Sequence, residues 1–174
     1  MEEMLVKCIE LLAYENDADV AIDRFLETVG AFYAADRAYI FEYDFEKNCA
    51  NNTYEWCKAN VSSEKENLQQ LPITLLDDWG SKFQEDGWFY INSVDADYSH
   101  DSSEYHILNQ QGIQSVAVAP FVQDGRITGF LGVDNPSATP GTGRCCAQSP
   151  PLSLMSSRSG GCSSTWSTPA TGIS

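Results

Sequence analysis

Apolar residues recur at helical spacing from the first residues of the chain. In "EEMLVKCIELLAYEN", Leu5, Cys8, Ile9 and Leu12 share one face, and two acids occupy the first turn. "NDAD" breaks the pattern. The stretch "ADVAIDRFLETVGAFYAA" then places Ile22, Phe25, Leu26, Val29 and Tyr33 on one helical face, with Asp17 or Asp19 as the N-cap. Two consecutive helices are therefore expected.

The period then changes to two. In "RAYIFEYD" (37–44), Tyr39, Phe41 and Tyr43 face one side while Ala38, Ile40 and Glu42 face the other. "KNCANN" reads as a turn and "TYEWCKA" as the hairpin partner. "NVSSEKENLQQLP" is polar, a loop or short helix. "LLDDWGSKFQEDG" is a short amphipathic helix carrying Leu76, Trp79 and Phe83, stopped by Gly87. "WFYIN" is a short strand. "SVDADYSHDSSEYHILNQQG" is a polar loop entering a helix that starts at Ser102 or Ser103 and ends at Gly112.

"SVAVAPFVQDGRITGFLGVD" closes the pattern with two strands around Asp124-Gly125, where Gly125 suits a turn that needs positive φ. Gly129 and Gly132, inside a strand, indicate close packing over the sheet or room for a ligand. From Ser137 onward the regular pattern stops.

Composition divides the chain at the same place. Residues 1–136 hold all 25 acidic residues and 8 of the 10 Lys and Arg, a net charge of −17. Residues 137–174 contain only Arg144 and Arg158 as charged residues, and 24 of their 38 positions are Ser, Thr, Gly or Pro. Such a segment has little regularly placed apolar surface with which to offset its ordering entropy. A domain at −17 repels nucleic-acid phosphates and anionic membrane surfaces, so neither is an expected partner. "MEEMLVKCIELL" lacks a signal-peptide pattern, and no stretch approaches the roughly eighteen apolar residues of a membrane span, so a cytoplasmic location is expected. The six cysteines show no zinc-site spacing and read as free thiols. Cys8, Cys49 and Cys57 have apolar or aromatic sequence neighbours, and Cys145, Cys146 and Cys162 lie in the tail.

The order of these elements resembles a GAF domain. The likeness is carried by "ILNQQGIQSVAVAPFVQDGRITGFLGVDN": a helix ending in Gly-Ile, a strand opening with Ser, an apolar strand with Pro, a Gly turn, and "GFLGVD". Upstream, "WGSKFQEDGWFYINSVD" matches the family's helix, Gly turn and following strand. The likeness covers residues 16–136, within a sensor domain taken as residues 1–136. It implies an α/β (α+β) fold with a central, mainly antiparallel sheet of five to six strands and helices on both faces. One face would pack on the terminal helices, and the other would form a cup roofed by the middle helices and loops.

Family members close with a long helix after "VDNP" that leads to an output domain. Here residues 137–174, a disordered or frame-shifted tail in this reading, stand in its place. A one-base shift with free wobble bases permits, from Arg144, "MLRSVAPLVAHELEKRRLLVDLEHASYGD". That string resembles the closing helix of a GAF domain running into a GGDEF diguanylate cyclase module.

Candidate chemistry is sparse. His100 and His106 stand in and near a polar loop, with Asp97, Asp101 and Glu104 nearby, and read as solvated residues rather than a metal or catalytic pair. Neither a catalytic set nor a metal site is expected, and no particular cofactor is indicated. The G-x-S-x-G, P-loop, H-E-x-x-H and C-x-x-C patterns do not occur. His106 lacks the neighbouring Cys through which GAF photoreceptors attach a bilin, and the "NKFDE" set of cyclic-nucleotide GAF domains does not occur. GAF-type methionine sulfoxide reductases use pocket cysteines, for which Cys49 and Cys57 are the only proposals, and these depart from that pattern.

Two surfaces are left as functional candidates. Tyr54, Trp56, Trp79 and Phe89 are the candidates for an aromatic-walled ligand pocket, with Glu55 out of phase and turned away. Leu5, Ile9 and Leu12 are the candidates for a dimer helix. The resemblance implies a non-catalytic sensor of a bacterial signalling protein that binds a small ligand, dimerises, or both. Its output domain would foremost be a GGDEF cyclic-di-GMP synthase, with a histidine kinase or an EAL phosphodiesterase as alternatives. A stand-alone sulfoxide reductase is the enzymatic alternative.

Overall fold

Six antiparallel strands in the order β3-β2-β1-β6-β5-β4 form one sheet. The strands are β1 (Arg37–Asp44), β2 (Cys49–Cys57), β3 (Leu71–Pro72), β4 (Phe89–Ile91), β5 (Val116–Gln123) and β6 (Arg126–Asp134). The computed structural model describes residues 2–137. The tail expectations, including a disordered or frame-shifted segment, its three cysteines and the place of a closing helix, lie outside the described residues.

Two helices cover one face, α1 (Glu2–Tyr14) and α2 (Ala18–Tyr33). Asp17 caps α2 by accepting the amides of Asp19 and Val20, so the chain reverses direction within a few residues. Leu26 and Val29 of α2 pack against Ala38 and Val133 of the sheet, with Ile22, Phe25, Tyr54 and Trp56 at the margins. The small residues Ala38 and Ala117 on this face let the helix layer approach the sheet.

The opposite face is roofed by α3 (Asp77–Asp86), α4 (Val94–Asp97), α5 (Ser103–Gln110) and a 3-10 turn over Ile73–Leu76. Its core is aromatic. Phe41 and Phe130 stack at 4.9 Å, and Trp79 meets Phe130 and Phe89 edge-on at 5.4 and 5.5 Å. Gly87, at φ 75°, ends α3 as expected, and Ser102 caps α5 by accepting the amide of Tyr105.

The β1 expectation matches its observed bounds, and its alternation holds. Tyr39, Phe41 and Tyr43 join the aromatic core while Ala38 and Ile40 face the α1–α2 layer. Strand β2 starts at Cys49, inside the segment read as a turn. Its polar residues satisfy the connection to β3: Asn51 Oδ1 accepts the Gln70 amide, and the Asn52 amide donates to the Leu68 carbonyl. The two-residue β3 and the single turn of α4 carry too little periodic signal to stand out in the sequence.

Candidate functional site

The cup between the sheet and its roof contains a cleft. The loop before β3 supplies Leu68, β3 supplies Leu71 and the 3-10 turn supplies Leu76; α3 supplies Trp79; α5 supplies Ile107 and Leu108; and Phe41 and Phe130 form the floor. The cleft is small, with a cavity volume of about 30 Å³.

One end of the cleft is polar, and strand register builds it. Across the three central strands, Gly132, Tyr39 and Glu55 are direct neighbours in one row, and Asp134, Arg37 and Cys57 in the next. Gly132 is required by the ring beside it, because a Cβ there would overlap Tyr39. The Tyr39 hydroxyl donates to Asp134 Oδ1 at 2.8 Å, and Arg37 donates to Asp134 Oδ2 at 3.4 Å. Arg37 also donates from Nε to the Ser62 carbonyl at 2.9 Å and stands 3.9 Å from Glu64.

Asp134 has no solvent exposure. Burial pushes its carboxyl up to about 7, against the pull of the Tyr39 hydroxyl and the Arg37 guanidinium, while the Glu55 charge pushes it further up. Tyr39 is held well above the ordinary phenol range, chiefly by burial and then by the neighbouring Asp134.

Glu55 organises the rim. Its Oε2 accepts the Ser63 hydroxyl and the amides of Glu64 and Lys65, and its Oε1 accepts Asn52 Nδ2 at 3.1 Å. Glu104, in the first turn of α5, also lines the cleft. Its carboxylate has no hydrogen bond or ion pair with the described residues.

The four pocket candidates separate. Trp79 lines the cleft, buried, with its indole N–H donating to the Tyr98 hydroxyl at 2.9 Å. Phe89 lies in the same core, in contact with Trp79 and Phe83, but does not line the cleft. Tyr54 and Trp56 face the α1–α2 layer instead. The Tyr54 hydroxyl donates to Asp19 at 2.6 Å, and the Trp56 ring lies on Gly30. Glu55, expected to turn away, is the β2 residue that reaches the cleft.

The cause is a bulge. Ile40 pairs with Tyr54 while Phe41 pairs with Asn52, so Thr53 is an extra residue and the β2 alternation inverts there. Ala50 and Asn52 face the cup before it, and Glu55 does so after it. Both sheet faces are covered, so hydrophobicity alone did not distinguish them. Asp134 carried a readable signal, an acid at the end of an otherwise apolar central strand. Glu104 stands in the sequence among the polar residues around His100 and His106, and nothing there marks it as a cleft residue.

The remaining candidate groups stand elsewhere. Leu5, Ile9 and Leu12 are more than half exposed on α1, at 51, 66 and 55%. His100 stacks on Tyr105 and lies 2.9 Å from Asp95. Cys8, Cys49 and Cys57 are free thiols, and none of the three lines the cleft. No helix among the described residues is long and apolar enough to cross a membrane.

Known proteins share this arrangement. The family model of the GAF domain matches residues 17–146. The chain is 32% identical over 128 residues to the methanogenesis regulatory histidine kinase FilI of Methanothrix harundinacea (strain 6Ac), covering 71% of this chain and 14% of that kinase. Among solved structures, the chromophore-binding domain of the bacteriophytochrome RpBphP3 from R. palustris superposes with a TM-score of 0.62 at 13% identity, over 77% of this chain and 51% of that one. The blue-light absorbing PixJ GAF-domain of Thermosynechococcus elongatus gives 0.55 at 12% identity, over 79% and 74%. At these identities the likeness to solved structures is one of fold.

Proposed function

Because this chain belongs to the GAF domain family, we propose that it is the non-catalytic sensory module of a signalling protein, coupling a small ligand in the cleft, dimerisation through α1, or both, to an output domain. The observation that carries the reading is the cleft itself. Its aromatic walls meet a few convergent polar groups, on a scaffold whose terminal helices lie on the far side of the same sheet. A ligand that prefers one arrangement of the roof would shift the population of arrangements in the sheet and its terminal helices.

A histidine kinase output is supported by the regulatory kinase similar to this chain, which extends far beyond the region they share. A GGDEF module is the second reading, supported by the string that the shifted frame permits after Arg144. In either case the sensory segment performs no reaction of its own and acts in the cytoplasm.

Reading the encoding DNA past the codon of Pro136 in all three frames tests this. A helix followed by a kinase core supports the first output, and GGDEF motifs support the second. A stop codon in every frame with neither motif would overturn both and leave a free-standing GAF protein.

A further inference from the structure

We propose that the cleft recognises a small organic cation: an apolar body no larger than a single ring, carrying a primary ammonium or guanidinium that docks on Glu104 and the Glu55 rim. The inference rests on the sensory reading and names the chemistry of its ligand. Three carboxyl-bearing side chains, Glu55, Glu104 and Asp134, line the cleft, and no Lys, Arg or His does. The nearest cations are already engaged. Arg37 sits behind Asp134 and divides its donors among Asp134, Glu64 and the Ser62 carbonyl. Lys82 is paired with Asp78, and Lys65 lies over the Tyr54 ring.

The donors at this end of the cleft are already committed. The Tyr39 hydroxyl is committed to Asp134, and Gln111 gives its Nε2 to the Ile107 carbonyl. The Glu104 carboxylate has no donor among the described residues. One layer deeper, Asn52 is 1% exposed, and its Oδ1 is a buried acceptor without a partner, beside the amide group that serves Glu55. Buried polar groups are normally satisfied. A ligand that brings N–H donors and positive charge supplies what the site lacks, whereas an anion would meet three carboxyl groups and no free cation. The remaining walls, Leu71, Leu76, Trp79 and Phe130 among them, offer an apolar berth for the ligand's body.

The test titrates the full chain with three probes of one shape, 2-phenylethylammonium, 2-phenylethanol and phenylacetate, followed by calorimetry and thermal shift. The ammonium should bind at least tenfold more tightly than either of the others. Glu104→Gln, a substitution outside the core, should weaken it about tenfold, the scale of one charge-assisted hydrogen bond. Glu55→Gln serves as the second variant, with circular dichroism checking that the rim has folded. Equal binding of the three probes, a preference for phenylacetate, or no binding by any of them would overturn the proposal. So would ammonium binding that ignores both substitutions. None of these outcomes touches the output-domain reading, which the DNA sequence decides.

Discussion

The hydroxyl of Tyr39 donates a 2.8 Å hydrogen bond to Oδ1 of Asp134, a carboxyl with no exposure to solvent. The two residues lie on adjacent strands, and the ring reaches Asp134 by crossing the face of Gly132. Tyr39→Phe keeps the ring and removes the donor, leaving a buried acceptor short of a partner. A loss of about 1–3 kcal/mol is expected, measured by urea unfolding. Unchanged stability would mean that water replaces the hydroxyl.

Asp134 also sets a pH dependence of stability. Its carboxyl is raised from an ordinary 3.8 to about 7 in the folded chain. Between these values the folded state holds a proton that the unfolded state has released. The stabilising contribution is therefore fully present below about pH 4 and is lost as pH rises through about 7. The full span is on the order of 4 kcal/mol. Unfolding free energies of the native chain and of Asp134→Asn, compared from pH 4.5 to 7.5, isolate this group from the other carboxylates. Their difference should slope across that window, and a flat difference would refute the raised carboxyl.

The sequence revealed the larger elements because each has a period: two helices at 3.6, β1 and the β5–β6 hairpin at two, and a capped α5. The site was less legible, for a local reason. A single extra residue, Thr53, exchanged the faces of Glu55 and its aromatic neighbours, and nothing in "CANNTYEWC" marks a bulge. Trp79 lines the cleft because helix α3 has one apolar face and one sheet to cover. The Arg37–Asp134 pair depends on cross-strand register, which emerges only when β1 and β6 are aligned.

The misplaced tryptophan has its own test. A Cβ on Gly30 would overlap the six-membered ring of Trp56, so the helix layer and β2 are fitted at that contact. Gly30→Ala improves helix propensity by about 1 kcal/mol, yet it should destabilise the chain by about 1–3 kcal/mol through overpacking. Trp56→Leu in the same chain should recover part of that loss, giving a clear non-additivity in a double-mutant cycle. Additive effects would show that α2 shifts freely over the sheet.

The exposed stripe of α1 leads to a different expectation. Leu5, Ile9 and Leu12 follow helical spacing and remain largely in solvent. Covering each such half-exposed side chain in a second copy's helix would contribute roughly 1–2 kcal/mol before the cost of association. If α1 joins two copies as proposed, Ile9→Glu should shift the chain toward monomer in sedimentation velocity without changing its circular dichroism. A sedimentation coefficient that does not respond would mean that α1 makes no contact between copies of the chain.

Cys57 decides how far a thiol-based chemistry can be entertained. Its thiol is pushed up to about 11, first by burial and then by the charge of Glu55 and a hydrogen bond to it. At pH 8 roughly one thiol in a thousand is then ionised, and the thiolate is the reactive form. Cys49 offers no help, because it stands at the other end of the same strand, about 25 Å away at 3.3 Å per residue. That is far beyond the reach of a disulfide. Iodoacetamide labelling followed peptide by peptide should modify Cys57 in the native chain roughly a hundredfold more slowly than in urea at the same pH. Glu55→Gln should speed the native reaction by removing the adjacent charge, while burial keeps it below the unfolded rate. Rapid native labelling of Cys57 would instead reveal an activated thiolate and return the sulfoxide reductase reading to contention. Replacing both Cys49 and Cys57 by Ser would then distinguish the two roles, abolishing a reductase and sparing a sensor.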